Sequence, residues 1–166
     1  MVKAKHIIVV AGVLAGGILA ALIFHQNEEA KIRKQFDFIA EKFEKRPGES
    51  PVMAAAKANQ IREVTAERCR INAPGYSAPR DILSDELPAI VFRIRSEYSS
   101  ISLMFHDFVI EFPEQHSAQV NVTAVIEGLS AGGKPIEDLH ELKCNLEKIE
   151  EVWRLKEVEV VEVLRK

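Results

Sequence analysis

The sequence predicts an α+β protein: an N-terminal transmembrane helix followed by one small domain of helices and an antiparallel sheet. Three observations carry this. An unbroken apolar run stands near the N-terminus, helix-period segments fill the chain up to about residue 97, and the period changes to two from Tyr98 onward.

The apolar run, Ile7 to Phe24, holds no charge, amide or hydroxyl. A helix of that length spans about 27 Å, close to the hydrocarbon thickness of a bilayer. A buried helix of a soluble domain would show a polar face, and this segment is apolar all round. A cleaved signal peptide is the rival reading, with Lys3 and Lys5 as its basic region. Cleavage after Ala21 would put the large Leu19 where a small residue is preferred, so the segment is read as a retained anchor. The layout is then a short basic N-terminus (1–6), a membrane helix (7–24) and an outer domain (25–166).

Lys3 and Lys5 precede the span, whereas acid and base are intermixed in "NEEAKIRK" after it. The expected address is a bacterial inner membrane, crossed once, with the C-terminal domain on the periplasmic side. Gly12 and Gly16 form a GxxxG that could pack a second membrane helix; small residues are also common in such helices without that role.

Across all 166 residues the net charge is −3, and it is more negative still once Lys3 and Lys5 are set aside. That balance excludes the basic footprint of a nucleic-acid partner. The two cysteines, Cys69 and Cys144, could pair in an oxidising compartment. Each falls mid-strand, which favours packed free thiols.

Along the outer domain, "NEEAKIRKQFDFIAEKFEKRPG" has a cap at Asn27 and apolar residues Ile32, Phe36, Ile39 and Phe43 at helical spacing, and Pro47-Gly48 ends it. Ser50-Pro51 then opens a second, alanine-rich helix to about Val64. A short strand is read over 67–73. A third helix runs from Ser84 to about Glu97, with Pro88 in its first turn, where no intrahelical N–H bond is lost.

Four strands follow, at about 99–112, 117–129, 137–148 and 152–165, joined by the short turns "PEQHS", "SAGGKPI" and "IEEV" as an antiparallel meander. The helices must cover one face of that sheet. The last strand, "VWRLKEVEVVEVL", is apolar enough to be central.

The order helix, helix, strand, helix and four strands, with "SDELPAIVFRIRSEYSSISLMFHDFVIEF", "AQVNVTAVIEGL" and "LHELKCNLEKIEEVWRLKEVEVVEVL", resembles the nuclear transport factor 2-like superfamily over residues 28–165. The "EVWRLKEVEV" ending is similar to the W-[RK]-[IL]-x-x-[VL] close of many members. The resemblance implies a cone in which helices pack into the concave face of a curved sheet. It implies nothing definite about activity, since that superfamily holds isomerases, dehydratases, cyclases and non-catalytic members. Where such proteins are enzymes, the resemblance places an aspartate or histidine on the inner wall of the cone.

The candidates here are His106 and Asp107 on the first long strand and His140 on the third. Neighbours on a strand point to opposite faces, so His106 and Asp107 cannot share a cavity, nor can His140 and Glu141. If Met104, Phe108, Ile110 and Phe112 line the interior, His106 joins them, and both histidines look into the cone. Two histidines are too few for a metal site, and no cofactor motif occurs. The expected role is therefore a membrane-anchored, non-catalytic binding or assembly domain, with a small apolar ligand in the cone and a homodimer among its partners. The alternative is an isomerase or hydratase that uses the cone.

Overall fold

The computed structural model describes the backbone of residues 2–74 and 77–161, and the side chains of residues 23–74 and 79–161. The chain divides into two units, Met1–Lys34 and Gln35–Lys166. The first is the greater part of helix α1 (Val2–Phe43). Most of the apolar segment, with Gly12 and Gly16, lies outside the described side chains. Among the described residues no helix is long and apolar enough to cross a membrane.

The second unit holds the end of α1, α2 (Pro51–Ile61), a single 3-10 turn (Arg62–Val64), α3 (Leu87–Ser96) and six strands. These are β1 (Thr65–Ala73), β2 (Ser77–Leu83), β3 (Tyr98–Glu114), β4 (Ser117–Ser130), β5 (Pro135–Ile149) and β6 (Val152–Val161). Helix α2 starts where Ser50 accepts a hydrogen bond from the Met53 N–H and Pro51 occupies the first turn, satisfying an otherwise orphaned donor. Ala58 and Ile61 of α2 meet Val91 of α3 and Phe43 of α1 in a small apolar core.

The sheet order is β2-β1-β6-β5-β4-β3. The meander is present as expected, and β6 is interior. Two features were not read from the sequence. β1 lies parallel to β6, which makes the sheet mixed. β2 pairs with β1 although Pro79 sits inside it. Proline removes a ladder donor and so reads against a strand, but β2 is an edge, where one side needs no partner.

The other edge is β3, and two devices limit its exposure. Lys45 closes both backbone bonds with Ile101, at 2.8 and 3.0 Å. Farther along, the register with β4 shifts between His106 and Val109, and Asp107 takes φ 55°. This is a β-bulge, which bends the strand and interrupts the unpaired row of backbone groups.

Gly128 marks a close approach. A Cβ there would stand 2.4 Å from the Ser100 carbonyl oxygen and 3.0 Å from the Ile101 Cα. Gly128 is the residue opposite Ile101, so no side chain fits where Lys45, β3 and β4 lie side by side.

Candidate functional site

The inner face of the sheet is identified by what touches it. Phe36 of α1 meets the rings of Phe105 and Phe108 edge-on, at centroid distances of 5.0 and 5.3 Å. On β4 the same face carries Ala118, Val120, Val122 and Ala124, all buried, and on β5 it carries Cys144 and Leu146. Trp153 of β6 is 2% exposed and lies 5.7 Å from the Phe112 ring. Much of this wall is aromatic and aliphatic.

The bulge decides where the first histidine goes. Phe105 and Phe108 both face inward although they are three residues apart, because Asp107 adds a residue to the alternation. Before the bulge the odd-numbered residues Leu103 and Phe105 are inward; after it the even-numbered Phe108, Ile110 and Phe112 are. His106 therefore belongs to the outer face, opposite Thr123, and is exposed. The expectation that His106 shares a face with Phe108, Ile110 and Phe112 is corrected, and with it the idea that His106 and His140 converge. Asp107 is exposed at the bulge itself.

His140 does face inward. It lies opposite Ala124, which in turn lies opposite Phe105, so the three form one row across β5, β4 and β3. Its side chain is half-buried, and its Nε2 stands 3.9 Å from Oδ2 of Asp138, beyond hydrogen-bonding distance. Asp138 was not singled out from the sequence. The signal was available: residues i and i+2 of a strand share a face, so D-x-H places a carboxylate beside an imidazole. Glu141 points outward, as the alternation requires. No group of three or more metal-ligating side chains occurs among the described residues.

A polar cluster lies elsewhere among the described residues, where the end of α1 meets α2 and α3. Arg95 of α3 is 1% exposed. It donates to the Ala54 carbonyl at 2.9 Å, to the Glu44 carbonyl at 2.8 Å, and to the Glu49 carboxylate. Lys57 bonds the other Glu49 oxygen at 2.8 Å and the Glu44 carbonyl at 3.1 Å. Lys45 donates to the Arg95 and Tyr98 carbonyls at the C-terminal end of α3. A pocket of about 200 Å³ opens beside this cluster, lined by Lys45, Glu49, Pro51, Ala54, Phe92 and Arg95 among others. The Arg95 Nε has no partner and is itself buried, so the pocket does not present it to a ligand. The cluster ties the 44–50 loop to two helices.

The cysteines are free and buried. Cys69 of β1 and Cys144 of β5 are separated by the intervening β6, about two strand spacings or roughly 10 Å. A disulfide needs Cα atoms within about 7 Å, so the two cannot pair without moving a strand. Burial, with the nearby Glu157 and Asp81 carboxylates, pushes the Cys69 thiol up to about 11, and burial together with Cys69 pushes Cys144 up to about 12. The thiolate is the reactive form. In the native chain at pH 8, both thiols are therefore expected to resist an aromatic disulfide reagent, and both should titrate in denaturant; rapid native labelling of either would show that its strand opens.

No protein-family model matches the chain, and no curated protein matches it in sequence. Solved structures do match in shape. A crystal structure assigned as a scytalone dehydratase from Novosphingobium aromaticivorans superposes with a TM-score of 0.68 at 13% identity, over 84% of this chain and 87% of that one. A type 2 hexachlorocyclohexane dehydrochlorinase, LinA, superposes with a TM-score of 0.65 at 9% identity, covering 82% of this chain and 86% of its own. A nuclear transport factor 2-like protein with a cystatin-like fold, again from Novosphingobium aromaticivorans, gives a TM-score of 0.65 at 12% identity over 89% of this chain and 90% of the other. At such identities the likeness concerns the fold. The helices packed on a six-stranded mixed sheet have the cystatin-like fold that the nuclear transport factor 2-like protein also shows.

Proposed function

We propose that this protein is a membrane-anchored, non-catalytic binding or assembly domain that faces the periplasmic side of a bacterial inner membrane. The anchor rests on the apolar run 7–24 of the sequence. The non-catalytic role rests chiefly on one observation. The bulge at Asp107 sends His106 and Asp107 away from the wall that Phe36, Phe105 and Phe108 share. Proton transfer needs a base and a stabilising donor converging on one reacting atom. The three titratable candidates of the sequence are instead divided between two faces. The apolar wall suits a small apolar ligand held by shape and burial.

A second reading is favoured by the Asp138–His140 pair, which does lie on the inner face. Proteins of similar fold include one assigned as a scytalone dehydratase and a hexachlorocyclohexane dehydrochlorinase. By analogy His140 would act as the base of an isomerisation or hydration in the cone. The experiment that separates the readings is a turnover assay of the full chain on activated hydroxy-ketones and enolisable ketones. No turnover above the buffer rate is expected. A rate that falls at least a hundredfold in His140→Ala, with Asp138→Asn also impaired, would establish the enzyme instead.

A further inference from the structure

Helices α2 and α3 are closed against each other at one end and apart at the other. Ala58, Ile61 and Val91 fill the closed end. At the other end α2 presents Pro51 and Ala54, while α3 presents Phe92, Arg95 and Ser96 at i, i+3 and i+4, the spacing of one helix face. Small residues on one helix leave room beside the large ring on the other, and the pocket of about 200 Å³ stands there, with Lys45 and Glu49 completing its lining. These residues belong to α2, α3 and the loop before α2. The site therefore lies apart from the strand face that carries His140.

The two sides of the pocket differ in kind. Phe92, which is 41% exposed, forms an apolar side with Pro51 and Ala54. The other side is charged and out of balance, because the three cations Lys45, Lys57 and Arg95 stand with the one carboxylate of Glu49 and leave a surplus of two positive charges. Both Glu49 oxygens are already taken, by Lys57 and by Arg95. The Glu44 carboxylate is engaged by Arg46 at 2.9 Å. An anion held here, partly out of water, gains more from that surplus than it would in bulk solvent.

Lys45 is the group able to receive it. An ammonium has three N–H donors, and two of those on Lys45 go to the Arg95 and Tyr98 carbonyls. One open cationic donor beside an apolar wall suits a monoanion with an apolar body; inorganic phosphate would set polar oxygens against Phe92 with nothing to bond. Volume limits the body. A cavity of about 150 Å³ is enough for benzene, so this one holds a single ring with a carboxylate.

We propose that the pocket between α2 and α3 binds a small aromatic monocarboxylate, its ring on Phe92 and its carboxylate on the Lys45 ammonium. The site does not depend on whether His140 is catalytic. The probe is benzoate, added to the full chain in mild detergent and followed by saturation-transfer NMR, with benzamide as the uncharged isostere. Benzoate should bind, and benzamide should bind at least tenfold more weakly for want of a charge-assisted hydrogen bond. Lys45→Met should lower benzoate to the benzamide level while keeping the backbone bonds to Ile101. Ser96→Leu, at an exposed position of the rim and outside the ion pairs, should abolish binding of both by filling the space.

Equal binding of benzoate and benzamide would overturn the proposal by removing charge as the basis of recognition. Benzoate binding that persists in Ser96→Leu and disappears in His140→Ala would overturn it by moving the ligand into the cone. Absence of saturation transfer to benzoate at millimolar concentration would overturn it outright. Ser96→Leu leaves the buried ion pairs in place, so the test stands even where Lys45→Met fails to fold.

Discussion

Replacing Arg95 by alanine is expected to destabilise the domain by about 3–5 kcal/mol, read as the shift of the urea unfolding curve of the full chain. The guanidinium is 1% exposed and is hydrogen-bonded to the Ala54 and Glu44 carbonyls and to Glu49. Its removal leaves those acceptors buried with fewer donors, and the desolvation they suffered on folding is no longer offset. Arg95→Lys should recover only part of the loss, because a single ammonium cannot reach three acceptors spread over a helix, a loop and a carboxylate. The decisive measurement is the Arg95→Ala, Glu49→Ala double variant. Removing both ends of the pair should cost clearly less than the sum of the singles, a coupling of about 1–3 kcal/mol. Strict additivity would mean that the geometry of the cluster does not reflect its energetics.

The second large effect belongs to Gly128→Ala, expected to cost about 3 kcal/mol and to lower the thermal midpoint by roughly 10 °C. The added methyl would lie 2.4 Å from a backbone oxygen, and backbone held in a ladder on both sides cannot swing aside as a side chain can. Ser100 and Ile101 are paired to β4, and Ile101 is also bonded to Lys45, so relief requires moving an edge strand together with the loop that follows α1. Gly132→Ala is the control: its new methyl would meet nothing nearer than 3.9 Å, from the Ser130 hydroxyl. A Gly128→Ala domain as stable as the parent would show that β3 relaxes freely at this point.

These two positions also mark the limit of what could be read in advance. Glycine in a strand signals a close backbone approach, but not which strand approaches. Arg95 stood in a helix whose apolar residues were legible, and nothing in its neighbours says that it turns inward to carbonyls 41 and 51 residues away. The candidate site divides in the same manner. That His140 and Glu141 point oppositely follows from the pleat alone. The face that His106 occupies depends on one extra residue at Asp107, and a bulge is a property of the pairing between β3 and β4.

By itself the sequence determined the α+β class, the order of the three helices and of every strand but β2, the meander, the interior place of the last strand and the apolar length of residues 7–24. All of these follow from local periodicity, caps and turns, which depend on residues within a few positions of one another. Only the tertiary structure decided the parallel pairing of β1 with β6, the edge strand that contains Pro79, the separation of Cys69 from Cys144 by a strand, and the division of the histidines between the two faces. Each of those depends on register between segments far apart in the chain, and a one-residue shift in register exchanges the inner and outer faces of a strand.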